Sequence, residues 1–412
     1  MSVVDVERPA PPPVRTAPPA QRGVVAIGIA IAVVLGLAVA NAAGWKMTVL
    51  YGVGLALGLV LFHSRFGFTS AWRQLITVGQ GRAIRAHMLM LGVAAVLFAG
   101  ILGSGYSLSG TPEPQLQTAG LGVVFGAFLF GVGMQVGGSC ASGTLFAVGS
   151  GQTAIIFTLG GFIVGSVFTA FISPFIKSVQ SIGPKVSLAE TPLGYAGGVL
   201  ITLVIIGVVV GVSLLVERRR TPPPIDQPPI AKGVLRALRG SWPLWVGAVL
   251  LAVLNAATLF VSGSSWGITS AFGLWGAKIL GWVGIDVSGA PFWQDPENAA
   301  KLTASVLTDR ISVMDFGIMA GALIAAALAG AFTLHRKIPW RMAVGAVLGG
   351  ILMGIGARFA GGCNIGAYFS GVASFSLHGW LWGVMAIVGT YAGVALRPLF
   401  GLGNPKPSDA VC

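Results

Sequence analysis

The chain has 412 residues, of which 55% are hydrophobic and 9% charged, whereas about a quarter of an ordinary soluble domain is charged; this excludes a soluble globular protein and describes one that crosses a bilayer many times. Its 25 Lys and Arg against 12 Asp and Glu give a net charge of +13, but the basic residues fall between apolar runs, where they orient a membrane protein rather than bind nucleic acid. Three cysteines, one of them the last residue Cys412, are too few for a disulfide framework.

Residues 1–22 are Pro-rich and too polar to bury a core, and are expected to form a disordered cytoplasmic tail. The first apolar run, residues 23–43, ends in Ala38-Val39-Ala40-Asn41-Ala42, which resembles a signal-peptide cleavage site. Its length, and the long tail before it, favour an uncleaved extra N-terminal transmembrane helix. Nine further runs have bilayer-spanning character: residues 48–63, 83–103, 119–135, 153–173, 193–216, 242–262, 313–334, 342–357 and 379–400. Between them lie four apolar pieces too short or too Gly-rich to cross, residues 64–78, 136–151, 263–285 and 358–377. They read as re-entrant segments with short helices, and such backbone is tolerated at membrane depth only within protein or beside a watery cavity.

Two stretches repeat. Gly131 to Gly151 reads GVGMQVGGSCASGTLFAVGSG, and Gly354 to Ser374 reads GIGARFAGGCNIGAYFSGVAS. Aligning Cys140 with Cys363 also aligns four glycine pairs and Phe146 with Phe369. Upstream, Gly67-Phe68-Thr69-Ser70-Ala71 is echoed by Gly267-Ile268-Thr269-Ser270-Ala271, in the same order, so the chain carries one duplicated unit. Unit 1 spans residues 48–173 and unit 2 residues 242–400. A connecting helix and cytoplasmic linker, residues 174–241, lie between them, and residues 401–412 form a C-terminal tail. Five crossings separate the two unit starts, so the second unit is inverted relative to the first, with a substrate site expected near the midplane. The fold class is therefore an all-α polytopic membrane protein, an inverted repeat of transmembrane helices with four short re-entrant helices. With the N-terminus inside, eighteen of the 25 Lys and Arg face inward and seven outward, in accord with the positive-inside rule.

No spanning segment holds a carboxylate pair, and the sequence has neither a metal-ligand cluster nor a phosphate-cradling loop, so neither a cofactor nor ATP hydrolysis is expected. The histidines, His63, His87, His335 and His378, read as interfacial residues. Asp315 lies near the outer end of its helix, where interfacial solvation is the simpler reading and ion coupling the other. Cys140 and Cys363 stand out because they occupy the same point of equivalent Gly-flanked pieces. A lone membrane cysteine is usually a packing residue, but paired placement favours function. A neutral thiol is a weak donor and weak acceptor suited to a soft sulfur atom, and apolar surroundings favour the neutral form. The glycines admit a substrate to the backbone, and short-helix N-termini offer N–H groups to an anion.

At GGSCASGTLFAVGSG and AGGCNIGAYFSG the chain resembles the YeeE/YedE family of sulfur-compound transporters, whose characterised members take up thiosulfate. The resemblance covers about residues 48–400. It implies nine spanning and four short helices in an hourglass-like inverted arrangement, with the 23–43 run an addition here. It also implies that Cys140 and Cys363 pass the anion inward by S–H···S contacts. Family members commonly carry a further cysteine in the first re-entrant piece, where this chain reads Arg65-Phe66-Gly67-Phe68-Thr69 and has none. Some work with a small cytosolic sulfur-carrier protein.

The expected function is thus a multi-pass inner-membrane permease, not an enzyme, surrounded by membrane lipid and importing thiosulfate or a related small sulfur-containing anion. Cys140 and Cys363 contact the substrate, while Ser139, Asn364, Gly138 and Gly362 supply polar and backbone groups. The rival readings are a membrane-embedded thiol redox or sulfurtransferase protein with a persulfidated cysteine, and a structural subunit in which both cysteines only pack.

Overall fold

A computed structural model of the protein describes residues 16–223, 231 and 233–406. Most of the Pro-rich tail, the middle of the linker and Cys412 lie outside the described residues. A chain in lipid must satisfy its backbone polar groups internally, and the described residues accordingly form helices, with isolated bridges in place of a sheet.

In chain order the helices of unit 1 and its lead-in are α1 (Arg22–Ser64), α2 (Phe68–Val78), α3 (Arg82–Ser104), α4 (Leu121–Val136), α5 (Ala141–Gly149) and α6 (Ala154–Phe171). The connection carries α7 (Ser173–Gln180), α8 (Gly194–Arg220) and α9 (Leu235–Arg239). Unit 2 holds α10 (Leu244–Ser262), α11 (Thr269–Trp282), α12 (Pro296–Thr303), α13 (Arg310–Leu328), α14 (Trp340–Phe359), a π-helical turn (Asn364–Phe369) that continues as α15 (Ser370–Ala373), and α16 (Leu377–Leu396). Among the described residues nine helical stretches are long and apolar enough to cross a membrane.

The first of these stretches folds back on itself. Gly44, at φ 76° and ψ −174°, interrupts α1 in a conformation that favours glycine. The arms on either side lie together, with the Tyr51 hydroxyl donating to the Ala32 carbonyl at 3.1 Å. The Gly-rich pieces expected to be too short to span each contain a short helix: α2, α5, α11, and the π turn with α15.

Packing between the units is reciprocal, as an inverted repeat requires. The second arm of α1 packs on α13, and its counterpart α10 packs on α3; α4 packs on α16, and its counterpart α14 packs on α6; α2 meets α16 as α11 meets α6. Small residues bring the helix backbones together. A side chain on Gly58 would strike the Ile318 carbonyl, and one on Gly321 would strike the Leu55 carbonyl.

Element ends depart from the sequence pattern where capping decides them. The seventh helix of the core, expected over 313–334, begins at Arg310, because Asp309 accepts from the Ser312 N–H at 2.8 Å. It stops at Leu328, two residues before the left-handed Gly330, φ 68°. The polar helix α12, capped by the Asp295 carboxylate accepting from Glu297 N–H at 3.1 Å, was not expected from the apolar pattern.

Candidate functional site at the meeting of the short helices

Each cysteine is the last extended residue before a short helix. Cys140 (φ −91°, ψ −176°) precedes α5, and Cys363 (φ −92°, ψ −171°) precedes the π turn. The chain reaches both through left-handed glycines, Gly138 at φ 79° and Gly361 at φ 69°, with Gly362 at φ 145°. Such backbone disfavours a Cβ, which explains why glycine recurs there in both copies.

The two short helices run in opposite senses. Past the C-terminus of α5, Thr153 accepts through its hydroxyl from the His335 N–H at 3.1 Å, beside the basic segment assigned to the inner face. Past α15, Phe375 accepts from the Leu188 N–H at 2.7 Å, beside the loop assigned to the outer face. Their N-terminal ends point inward to the middle of the molecule, where α5 and the π turn touch. Cys363 is within electrostatic reach of both Cys140 and Asp315.

Both thiols are buried, Cys140 at 2% exposure and Cys363 at 0%. The Cys363 sulfur accepts from the Ile365 N–H at 3.4 Å, and the Cys140 sulfur lies 3.6 Å from the Ser142 hydroxyl. Ser139 donates through its hydroxyl to the Cys140 carbonyl at 3.3 Å. Asn364 is fully buried, and neither its amide oxygen nor its nitrogen finds a partner.

A cavity of about 350 Å³ stands next to Cys363. Its wall includes Gly361, Gly362 and Gly366, which flank Cys363 and Asn364 in the chain, together with Ser265, Thr269, Ser270, Gln117 and Gln180. The charged side chains in the wall are Lys177, Arg310 and Arg358, with no carboxylate among them. Arg310 donates to the Ser265 carbonyl at 2.9 Å, and Arg358 lies 3.9 Å from the centre of the Phe292 ring. Neither makes a salt bridge among the described residues, where the one ion pair is Arg85–Glu217. A wall whose charged side chains are all basic attracts anions in a low-dielectric setting. Behind the Cys363 turn an aromatic cluster fills the interior: Tyr368 stacks on Trp382 at 5.9 Å and meets Phe68 of α2 at 6.2 Å.

Of the six residues singled out in the sequence, Gly362 lines the cavity directly; Cys363 and Asn364 follow it in the same turn, and Cys140, Ser139 and Gly138 form the equivalent turn of the other unit. Several expectations are corrected. His63, His87 and His378 are buried, at 3%, 1% and 0% exposure, and only His335 is exposed; the first three lie against aromatic rings or helix ends inside the bundle. Asp315 is fully buried rather than solvated at an interface; the helix starts at Arg310, ahead of the expected residue 313, and holds it inside the bundle. Arg310 and Arg358 had served only in the charge count, although Arg358 stands five residues before Cys363, where the other copy has the polar Gln135.

A helical membrane protein with inverted repeats and short helices meeting at its centre has the architecture found in many transporters. The chain belongs to the sulphur-transport family, whose pattern matches residues 63–392. It is 28% identical over 347 residues to the thiosulfate transporter TsuA of Spirochaeta thermophila, covering 82% of this chain and 95% of that protein. It is 26% identical over 373 residues to the thiosulfate transporter TsuA of Escherichia coli K12, covering 84% and 94%. A probable transporter of Escherichia coli K12, YedE, is 29% identical over 161 residues, 39% of each chain.

Proposed function

We propose that this protein imports thiosulfate, or a small anion of the same sulfur chemistry, across the inner membrane along a central path that passes Cys363 and then Cys140. The observation that carries this reading is the pair of buried thiols held in the same backbone conformation by oppositely directed short helices, one of them beside a positively walled cavity. The anion is gathered at Arg310, Arg358 and Lys177, meets the amide of Asn364 and the exposed backbone at Gly362, and is handed from one thiol to the other with Ser139 and Gly138 as neighbours. Weak S–H contacts on both sides of the centre suit conduction, since one deep well would trap the substrate. A cytosolic sulfur-carrier protein is the partner this reading expects at the basic inner face.

The covalent alternative gains no support from the surroundings of the thiols: the hydrogen-bond neighbours are Ser142 and the Ile365 N–H, and neither is a base. The deciding experiment is uptake of labelled thiosulfate by cells lacking other routes. Cys140→Ala and Cys363→Ala should each lower uptake by about tenfold or more, the scale of one lost contact worth ~1.4 kcal/mol, with the protein still folded in the membrane. Uptake at the wild-type rate by the double variant would remove the thiols from the path.

A further inference from the structure

We propose that Asp315 is a proton-binding site that couples entry of the anion to entry of a proton, a coupling that rests on the transport reading above. Asp315 is fully buried, and among the described residues neither carboxylate oxygen has a hydrogen-bond partner. A bare carboxylate in such a place is costly to desolvate, and a proton on one oxygen removes that cost. The group is also placed where a proton and an anion would meet. Ile311, one turn earlier on α13, lines the cavity, and residues four apart share a helix face, so Asp315 continues the cavity wall inward. α13 also packs on α5, the short helix that Cys140 precedes. A carboxylate at that point would repel an arriving anion, whereas the protonated acid would not; proton and anion therefore load together and leave together.

The other unit carries a counterpart. His87 is the sixth residue of α3, as Asp315 is the sixth of α13. It too is buried, with an unpartnered ring nitrogen, stacked on Phe68 at 4.3 Å. Each unit thus holds a buried titratable group at the same count from the start of the corresponding helix.

The charged neighbours leave Asp315 free for this role. Of the elements packed on α13, α1 brings Arg22 at its start, then Lys46 and Tyr51, which donate to the carbonyls of Leu108 and Ala32, and His63, which lies against Trp242. Within α5 there is no ionisable side chain, only the cap Cys140. Lys278 of α11 donates to the carbonyls of Leu302 and Ala304, Arg236 and Arg239 of α9 donate to the carbonyls of Ser241 and Leu328, and Arg310 is turned to Ser265. Asp309, the cap of α13, is the other carboxylate on this element and accepts from the Ser312 N–H and hydroxyl.

The test is labelled thiosulfate transport by the purified protein in liposomes, measured as counterflow without a gradient and as accumulation under an inward proton gradient. With the membrane potential clamped at zero, one pH unit should support about tenfold accumulation per coupled proton, abolished by a protonophore. Asp315→Asn, which copies the protonated acid but cannot release a proton, should keep counterflow and lose accumulation; Asp315→Glu should restore part of it. Gradient-driven accumulation by Asp315→Asn, or wild-type accumulation that ignores the proton gradient or follows sodium instead, would overturn the proposal. Absence of wild-type counterflow would instead overturn the transport reading beneath it.

Discussion

Gly143, three residues after Cys140, faces the thiol rather than a neighbouring helix. A Cβ added there would strike the Ser139 hydroxyl and stand 3.3 Å from the Cys140 sulfur, so the hydroxyl must move aside and the thiol give by a few tenths of an ångström. Its counterpart Gly366 has only a distant neighbour, the Gly267 backbone at 4.0 Å, and lines the cavity. Gly143→Ala should therefore lower thiosulfate uptake about tenfold, equivalent to ~1.4 kcal/mol of displaced contact, while the thermal midpoint in detergent changes little. Normal uptake by this variant would show that the Cys140 thiol need not keep its place. At this scale the paired cysteines were legible in the sequence, because duplication repeats a motif. The burial of Asp315 was not, because its depth depends on where α13 begins, and that is decided by the Asp309 cap.

Between elements, glycine spacing does the work that apolar burial does in water, since lipid offers helices little hydrophobic reason to associate. Gly54 and Gly58 of α1 face Gly317 and Gly321 of α13, each pair one turn apart: Gly54 lies against Met314 and Gly58 against Ile318, while Gly317 meets Tyr51 and Gly321 meets Leu55. Gly58→Ala and Gly321→Ala should each destabilise the protein by about 1–3 kcal/mol, the cost of overpacking a close contact. The double variant should cost less than the sum, because one separation of the helices relieves both clashes. Thermal unfolding in detergent, followed for the three variants, measures this directly; full additivity would mean that the contacts are independent. Gly36, by contrast, has only the Tyr51 ring within range of a Cβ, at 3.5 Å, and tolerates alanine.

For the whole molecule, inversion directs the short helices that follow the two cysteines toward opposite faces, and charge sets which face is inside. Single cysteines at Ser178 and His335, in a background lacking the native thiols, should be labelled by an impermeant maleimide from outside and from inside respectively. Both labelled from one side would break the inverted topology. The topology itself rests on parity and on the distribution of Lys and Arg, both of which a linear sequence displays.

Hydropathy, repeat spacing and basic-residue counts determined that the chain is helical, membrane-spanning, duplicated and inverted, because each property depends on residues near one another in sequence or on how many crossings separate two motifs. Only the tertiary structure decided that the two Gly-flanked turns converge, that Arg310 and Arg358 share one cavity wall without a carboxylate, and that Asp315 lies unpartnered one turn further in. Those facts join residues from different helices, and their energies come from desolvation and close packing, which exist only once the two units have closed around a common centre.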